Sequence, residues 1–360
     1  MKINLSRKEK IYGPAGLLLA LFGFGWFKLS QMLGAGADGM RAFGQHLGNL
    51  LCRIWGLLPF PVSELVWILG IAGALIVTGL LIRRRGWSGL TAALVRLLLA
   101  GGIIFSIFSV VFLTQYSAPP LADQLGLESG KYTVQELADT AAIVAEELNR
   151  YAQLVDRDAE GLFAPKDYDV LAQAVQESYR EGSMAALYSR GAGIAPKEGI
   201  LLSKIMSYLS ITGYYFPITG ESIVSGDLIE TSIPFTIAHE TAHSFGLGPE
   251  KEANFAAYLC CIESDDMEVT YSGLFNGYIY LNNALYRADK DLWRAVYDTL
   301  SQSVRDDLAA KSAHLAKYEG KLNDFGSSVN NAYIRSTGQP EGVRSYGLMV
   351  DLLISYYKDR

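Results

Sequence analysis

Two histidines and a glutamate in the second half of the chain have the types and the spacing of a metal site. His239, Glu240 and His243 form the pattern His-Glu-Xaa-Xaa-His. On a helix, residues four apart share a face, so both imidazoles can reach one metal ion, while Glu240 lies beside them facing the attacking water. The chain contains only 4 histidines, which makes two of them at ligand spacing around a glutamate an informative pair. The pattern predicts zinc (Zn2+) held by His239 and His243, with Glu240 as the general base of a peptide-hydrolysing site.

A third metal ligand is expected, because catalytic zinc usually takes three protein donors and leaves one position open. Two glycines and a proline within residues 244–249 are predicted to end the first helix, so that a second helix opens at Glu250. Glu250 is the predicted third ligand, since Asn254 follows one turn later and can hydrogen-bond a ligand imidazole. Glu252 ranks second, because it lies roughly 200° round the same helix and has an alanine one turn on.

Charged and apolar residues divide the chain into two parts. Residues 1–118 contain 11 Lys and Arg against 3 Asp and Glu, whereas residues 119–360 contain 20 against 34, so formal charges of +8 and −14 lie behind the net −6. Three apolar segments in the first part, 12–29, 65–82 and 90–114, approach the ~20 residues that cross a hydrocarbon core of ~30 Å. A membrane anchor with about three transmembrane helices is therefore expected over 1–118, followed by a soluble domain over 119–360.

Basic residues predict the direction in which this anchor crosses the cell membrane. Arg83, Arg84 and Arg85 follow the second apolar segment, and the N-terminus is also basic, so the positive-inside rule places both in the cytoplasm. A multi-pass anchor of three spans then carries the body of the chain to the extracytoplasmic side. The first segment also has features of a cleaved signal peptide, and the arginine triplet fixes the later spans in either case. Arg96, inside the third segment, is expected to snorkel to the cytoplasmic interface.

The body of the chain is predicted to be mostly helical. A capping box at Thr133–Glu136 opens one helix, a second helical pattern covers 165–187, and further helices fill the C-terminal third. Residues 222–231 are β-prone and are predicted to form an edge strand, to which a substrate backbone can add as a further strand. Cys260 and Cys261 are adjacent on an apolar helix, where neighbouring side chains point in different directions, so free or buried thiols without a metal role are expected.

Several segments together resemble one family of uncharacterised bacterial membrane proteins, domain of unknown function 3810. These segments are 58–64, 216–221, 234–260, 271–273 and 344–347, and the resemblance covers nearly the whole chain. It implies a zincin-type peptidase domain on a membrane anchor. The spacing of Glu250 is also similar to the gluzincin pattern, in which an aspartate that orients a ligand histidine stands where this chain has Asn254. The expected fold class is mainly α, with N-terminal transmembrane helices followed by a zincin-like α+β metallopeptidase domain.

Two other functions compete with a membrane-anchored zinc metallopeptidase. An intramembrane protease would hold the motif inside a spanning segment, yet the acidic residues that flank it are costly in a bilayer. A non-hydrolytic zinc-containing binding or scaffold protein would close the metal with a fourth side chain. The expected partners are a peptide or protein substrate and the lipid membrane, and the acidic body without a basic patch argues against nucleic acid. Tyr271 and Tyr346 lie beside glycines and could stabilise an oxyanion, although among 21 tyrosines a structural role is expected for each.

Overall fold

The computed structural model describes residues 5–127, 132–337 and 349–358. Over these residues the chain is mainly α-helical, as the sequence predicts. The chain divides into two units: residues 1–118 with 216–221, and residues 119–215 with 222–360. The zincin-like α+β character of the second unit stays a prediction.

Long helices make up most of the first unit. They are α1 (Arg7–Leu33), α2 (Asp38–Trp55), α3 (Val62–Arg85) and α4 (Trp87–Val111), with 3-10 turns at Gly34–Ala37 and Leu113–Ser117. Three helical stretches are long and apolar enough to cross a membrane, namely Arg7–Trp55, Val62–Arg85 and Trp87–Val111. The prediction of three such helices is thereby confirmed. Their passage through a membrane and its direction stay predictions.

Glycines allow α1 and α4 to pack closely. A Cβ atom on Gly16 would lie 2.6 Å from the main chain of Leu98, and one on Gly102 would lie 2.2 Å from the carbonyl oxygen of Gly16. Small residues of this kind let apolar helices approach each other where lipid tails provide no hydrophobic driving force for association. The two helices therefore meet backbone to backbone at these positions.

A buried carboxylate joins the ends of helices in the first unit. Glu9, in the first turn of α1, is 1% exposed. Its Oε1 lies 2.8 Å from Arg85 Nη1 at the end of α3 and 3.0 Å from Arg96 Nη2 in α4. The Arg96 side chain, which was predicted to snorkel, is 41% exposed and forms an ion pair with this carboxylate. The basic start of α1 and the arginine triplet of α3 thus lie at the same end of this unit.

Glu221 caps the amino end of α3. Pro61, which precedes the helix, provides no side-chain cap. The Glu221 carboxylate accepts hydrogen bonds from the N–H groups of Val62 (3.1 Å) and Ser63 (2.8 Å) instead. A carboxylate at this place satisfies two N–H groups that have no partner within the helix, and it complements the helix dipole. Two of the segments on which the family resemblance rests therefore meet at one side chain.

The second unit is also built mainly from helices. The first of them are α5 (Leu121–Leu125), α6 (Val134–Tyr151), α7 (Tyr168–Glu181), α8 (Ala185–Tyr188) and α9 (Ser203–Tyr208). The others are α10 (Ile233–Ser244), α11 (Glu250–Ile262), α12 (Met267–Ala288), α13 (Lys290–Tyr297), α14 (Gln302–Ala316), α15 (Lys321–Ser336) and α16 (Met349–Lys358). The predicted capping box is present, because the Thr133 hydroxyl accepts from the Glu136 N–H and the Glu136 carboxylate accepts from the Thr133 N–H.

A small sheet accompanies these helices, and it corrects one prediction. Its strands are β1 (Lys197–Glu198), β2 (Gly213–Phe216) and β3 (Glu221–Val224), in the order β1-β3-β2, with β1 parallel to β3. The edge strand predicted over 222–231 is wrong, because β3 ends at Val224 and lies between the other two strands. All residues of β3 are buried, so its isoleucine and valine pack in the interior of the protein.

The core of the second unit lies among α6, α7, α10, α11, α12 and α16. Its largest fully buried side chains include Tyr179, Tyr258, Phe255 and Phe275. Cys260 and Cys261 are buried in this core as free thiols, as predicted. Because α10 and α11 run through the core, polar residues of these helices, among them Glu240, His243 and Glu250, are buried as well.

Candidate metal centre

Side chains of α12 fix the start of α10, the helix that carries the two histidines. Pro234 occupies the first turn, where a main-chain N–H is not needed. The Ser272 hydroxyl accepts a hydrogen bond from the Phe235 N–H (3.1 Å) and donates one to the Thr231 carbonyl oxygen (2.8 Å). Asn276, one turn further along α12, donates to the same carbonyl oxygen (2.9 Å). These bonds hold the entry into α10 and thereby set which face of the helix meets α11.

A tight turn connects α10 to α11. Gly246 has φ +91°, a conformation that favours glycine. The Leu247 N–H donates to the Ala242 carbonyl oxygen (3.1 Å), which closes the end of α10. Pro249 precedes the first residue of α11, Glu250. The predicted helix end and the predicted second start are both confirmed.

His239, His243 and Glu250 meet at one point between these helices. A nitrogen of each imidazole and a carboxylate oxygen all lie within 4.8 Å of one another. His239 Nε2 is 3.4 Å from Glu250 Oε2, and His243 Nε2 is 3.6 Å from Glu250 Oε1. The imidazole rings are nearly perpendicular, at 86°, with centroids 4.6 Å apart. This group of three donors could hold a metal ion.

The imidazole orientations suit a metal. His243 Nδ1 lies 2.6 Å from the Leu247 carbonyl oxygen. A carbonyl can only accept, so the proton sits on Nδ1 and Nε2 faces Glu250. His239 presents its Nε2 to Glu250 in the same way, and its Nδ1 is buried without a hydrogen-bond partner in the part of the chain that the structure describes. Both imidazoles thus direct Nε2 towards the same carboxylate.

Burial and neighbouring charges shift the pKa values of His243 and Glu250. Burial opposes the charged form of His243, but the Glu250 carboxylate outweighs this effect and raises the pKa of His243. Burial likewise opposes the ionised form of Glu250, and the imidazoles of His243 and His239 outweigh it and lower the pKa of that carboxyl group. A metal requires neutral imidazoles, so its binding would displace protons from the cluster.

Glu240 lies beside the three donors and is 2% exposed. Burial raises the pKa of Glu240 to about 7, against the opposing effect of His239 and His243. Its Oε2 has no hydrogen-bond partner among residues 5–127, 132–337 and 349–358. A carboxyl group with a pKa near neutrality can both take up and release a proton, as a general base must.

Gly213 is a residue of this site that sequence reasoning missed. A Cβ atom at this position would lie 2.5 Å from Glu240 Oε1 and 2.7 Å from its Cδ. The main chain at the start of β2 therefore passes directly over the carboxylate. In β3, the Ser222 hydroxyl donates to the Glu240 carbonyl oxygen (2.9 Å), so the sheet contacts this residue twice. A glycine before the strand residues Tyr-Tyr-Phe was the available signal, because glycine in a strand often marks a close approach of main chain to another group.

Glu252 and Asn254 of α11 take other partners. Glu252 accepts a hydrogen bond from the Leu121 N–H at the start of α5, and burial raises the pKa of Glu252 to about 7. The ligand cluster contains Glu250 instead. Asn254 Oδ1 accepts a hydrogen bond from the Tyr280 hydroxyl (3.2 Å), where the sequence suggested a ligand imidazole. Its Nδ2 is buried, and no described residue pairs with it.

Two tyrosines that sequence reasoning passed over lie close to the charged groups of the site. Burial raises the pKa of Tyr280, and the charge of Glu250 adds to this. Burial also raises the pKa of Tyr168, and the nearby charges that add to it include that of Glu240. Neither tyrosine lies in a pattern that distinguishes it from the other tyrosines of the chain.

Of the two tyrosines that the sequence suggested as oxyanion-stabilising residues, Tyr271 has other partners. The Tyr271 hydroxyl is bonded to Asp307 and Arg157, which gives it the structural role expected from the number of tyrosines. Tyr346 lies outside the described residues.

Fold and site together define a mainly α-helical protein with three helices apolar enough to cross a membrane and a group of three donors that could hold a metal. The chain belongs to the family described as "Protein of unknown function (DUF3810)", which matches residues 41–354. The resemblance seen in the sequence is thus confirmed at the level of the family. No curated protein and no solved structure matches the chain.

Proposed function

We propose that the protein is a membrane-anchored, gluzincin-like zinc metallopeptidase in which Glu240 is the general base of peptide-bond hydrolysis. The observation that supports this most is the meeting of His239, His243 and Glu250 within 4.8 Å, with Glu240 beside them. In this proposal the second unit is a zincin-like α+β peptidase domain on the extracytoplasmic side, and residues 1–118 are its multi-pass anchor in the cell membrane.

Each residue of the site has a distinct task in this proposal. His239 and His243 would hold zinc through Nε2, and Glu250 through its carboxylate. When bound, zinc supplies a Lewis acid that polarises the scissile carbonyl and makes water a stronger nucleophile at neutral pH. Glu240 takes the proton of the attacking water and passes it to the leaving amine. The Leu247 carbonyl oxygen keeps the proton of His243 on Nδ1.

The number of donors favours catalysis over a purely structural metal. Structural zinc sites are closed by four protein ligands, whereas catalytic sites use three and keep one position for water or substrate. Three donors gather here within the described part of the chain. Glu240 would have no evident use beside a structural metal, because it destabilises the fold to bury a carboxyl group whose Oε2 has no hydrogen-bond partner among the described residues.

The second candidate is a non-hydrolytic zinc-containing binding or scaffold protein. The burial of Glu240 favours it, since the side chain is 2% exposed and the main chain of Gly213 lies over it. A peptide must come within reach of this carboxylate to be hydrolysed. The two candidates therefore differ in whether any peptide is cleaved.

Metal analysis and a peptide library, both with the full-length protein in detergent micelles, test the proposal. Wild type should hold about one zinc per chain, and His243→Ala should hold none. Glu240→Gln should keep zinc and fold, because the amide preserves the shape of the side chain. It should lose roughly 10²- to 10⁴-fold in cleavage rate, because the amide cannot accept the proton of water. N-terminal profiling of cells that carry wild type or Glu240→Gln would then identify natural substrates.

Three results would contradict parts of this proposal. Stoichiometric zinc in His243→Ala would mean that the metal ligands are wrongly assigned. Zinc-loaded wild type that cleaves no peptide, with N-terminal profiles identical to those of Glu240→Gln, would favour the scaffold. Equal cleavage by wild type and Glu240→Gln would remove Glu240 as the base.

A further inference from the structure

Helix α2 of the first unit divides its residues among three faces. Helix periodicity places Phe43, Leu47, Leu50 and Ile54 on one apolar face, where all but Leu47 are exposed. A second face is polar and carries Gln45, His46, Asn49 and Arg53. The third face is buried against the protein and consists of Arg41, Gly44, Gly48 and Cys52. The apolar face is thus separate from the one that packs.

The start of α2 is fixed at the ends of α1 and α4. The buried Arg41 guanidinium donates to the carbonyl oxygens of Gly34 (2.8 Å), directly after α1, and Ser117 (3.0 Å), beyond α4. A Cβ atom on Gly44 would lie 2.1 Å from the carbonyl oxygen of Val110, in the last turn of α4. The first half of α2 therefore crosses the carboxyl end of α4 with the two main chains in contact.

The second half of α2 lies at the amino end of α3. A Cβ atom on Gly220 would lie 2.3 Å from the Gly48 carbonyl oxygen and 2.7 Å from the main-chain nitrogen of Cys52. Glu221, the next residue, caps the amino end of α3. Helices α3 and α4 have 24 and 25 residues and both extend from Gly86, so their other ends are level. Because α2 meets both of these ends, it runs across the end of the helices and not along them.

The apolar face of α2 is turned towards the apolar helices. The Phe43 ring packs against Trp26 of α1 with centroids 6.3 Å apart. Trp26 lies two turns before the end of α1, a rise of about 10 Å, so the Phe43 side chain extends back along α1. The Trp26 indole N–H donates to the Thr114 hydroxyl (2.9 Å), which holds this ring in place. The polar face of α2 lies on a different side of the helix from Phe43.

We propose that α2 lies in the plane of the membrane surface, opposite the end that carries the arginine triplet, with its apolar face among lipid acyl chains. Amphipathic helices of this kind bind at the boundary of headgroups and acyl chains, with the apolar face about 5–10 Å deep. Lipid is the partner because the apolar face continues, through Phe43 and Trp26, the surface of a helix apolar enough to cross the membrane. Water at this face would surround three large apolar side chains.

This inference rests on the membrane anchor of the proposed function and not on its zinc site. At 18 residues α2 is close to the ~20 that a crossing needs, so its position decides the topology. A helix in the surface plane adds no crossing. The three spans are then α1, α3 and α4, and the N-terminus and the second unit lie on opposite sides of the membrane.

Spin labels on the full-length protein in bilayer nanodiscs test the position of α2. Leu50→Cys and Ile54→Cys carry labels on the apolar face, and Ala42→Cys and Arg53→Cys carry matched labels on exposed positions of the polar side. Leu18→Cys, exposed in the middle of α1, is the reference for the hydrocarbon core. The native cysteines are buried, so labelled wild type gives the background signal. Relaxation by oxygen, which concentrates among acyl chains, and by a water-soluble nickel chelate gives the depth of each label.

The labels at Leu50 and Ile54 should lie about 5–10 Å below the headgroups and be shielded from nickel, whereas those at Ala42 and Arg53 should be reached by nickel. The label at Leu18 should lie deeper than all of them. A Leu18 label in water would overturn the proposed anchor together with this inference.

Three other results would overturn the inference and leave the anchor in place, each with a Leu18 label deep in the bilayer. Labels on both faces of α2 that nickel reaches equally would place the helix in water. Labels on both faces that only oxygen reaches would make α2 a further span. Labels at Leu50 and Ile54 that neither reagent reaches would mean that protein, such as a second copy of this chain, covers the apolar face. Metal analysis tests the zinc site separately.

Discussion

At the scale of single residues, the Glu240 carboxylate is positioned by contact with a main chain more than by hydrogen bonds. Its Oε2 has no partner in the described part of the chain, while the main chain of Gly213 leaves too little room for even a Cβ atom beside it. A side chain confined in this way has few rotamers open to it. The residue at position 213 therefore decides where the proposed general base can lie.

Gly213→Ala should displace the Glu240 carboxylate and leave the metal ligands in place. The added methyl group would lie 2.5 Å from Glu240 Oε1, which is closer than any carbon and oxygen atom can pack. We expect full zinc content and a fall of about 10- to 100-fold in kcat, since general-base catalysis is worth roughly 10²- to 10⁴-fold in all. In a Glu240→Gln background the same substitution should cost nothing further. Loss of zinc from Gly213→Ala would show that the glycine supports the whole cluster.

Replacing Glu250 by glutamine should weaken zinc binding, whereas the same change at Glu252 of α11 should leave it unchanged. Glu250→Gln should lose most of the zinc affinity, because an amide is a poor metal ligand. Glu252→Gln should keep it, because Glu252 is bonded to the Leu121 N–H, and an amide oxygen can accept that bond. Zinc competition on both variants decides the matter. A larger loss from Glu252→Gln would transfer the ligand role to that residue.

At the scale of helices and strands, the sequence predicts those features that depend on neighbouring residues, such as where a helix begins and ends. Pro234, Gly246 and Pro249 set the bounds of α10 and α11, and helix periodicity places both histidines on one face, so these features could be read directly. The central position of β3 could not be read, since a β-prone segment does not reveal which strands pair on either side of it. Gly213 and Tyr280 were missed for the same reason, because both approach the site from distant parts of the chain.

Glu221 is the clearest case of such a distant contact, and it leads to a stability prediction. Its carboxylate caps α3 across 159 positions of sequence. Glu221→Ala should lower the free energy of unfolding by about 1–3 kcal/mol, because two buried N–H groups lose their acceptor. Thermal unfolding in detergent measures this. Glu160→Ala, which removes an exposed carboxylate, should change stability by less than about 0.5 kcal/mol. Equal effects of the two variants would contradict the capping role.

At the scale of the whole molecule, the formal net charge of −6 hides two parts of the chain with opposite charge. The first 118 residues carry a formal +8 and the remaining ones −14. In the first unit, the pairing of Glu9 with Arg85 brings the basic start of α1 to the same end as the arginine triplet of α3. Both basic groups would then face the same side of a membrane. This agreement supports the proposed orientation, because the positive-inside rule assigns both groups to the cytoplasm.

Cysteine labelling of intact spheroplasts tests that orientation, and the structure makes the background low. Cys52, Cys260 and Cys261 are all buried, so an impermeant maleimide should react poorly with the native chain. Glu160→Cys, in an exposed turn of the second unit, should be labelled in intact spheroplasts. Lys8→Cys, exposed at the start of α1, should be labelled only after the membrane is opened. The reverse pattern would place the second unit in the cytoplasm, and a peptidase there would act on cytoplasmic substrates. Labelling of both positions in intact spheroplasts would mean that an even number of helices crosses the membrane between them, which contradicts an anchor of three spans.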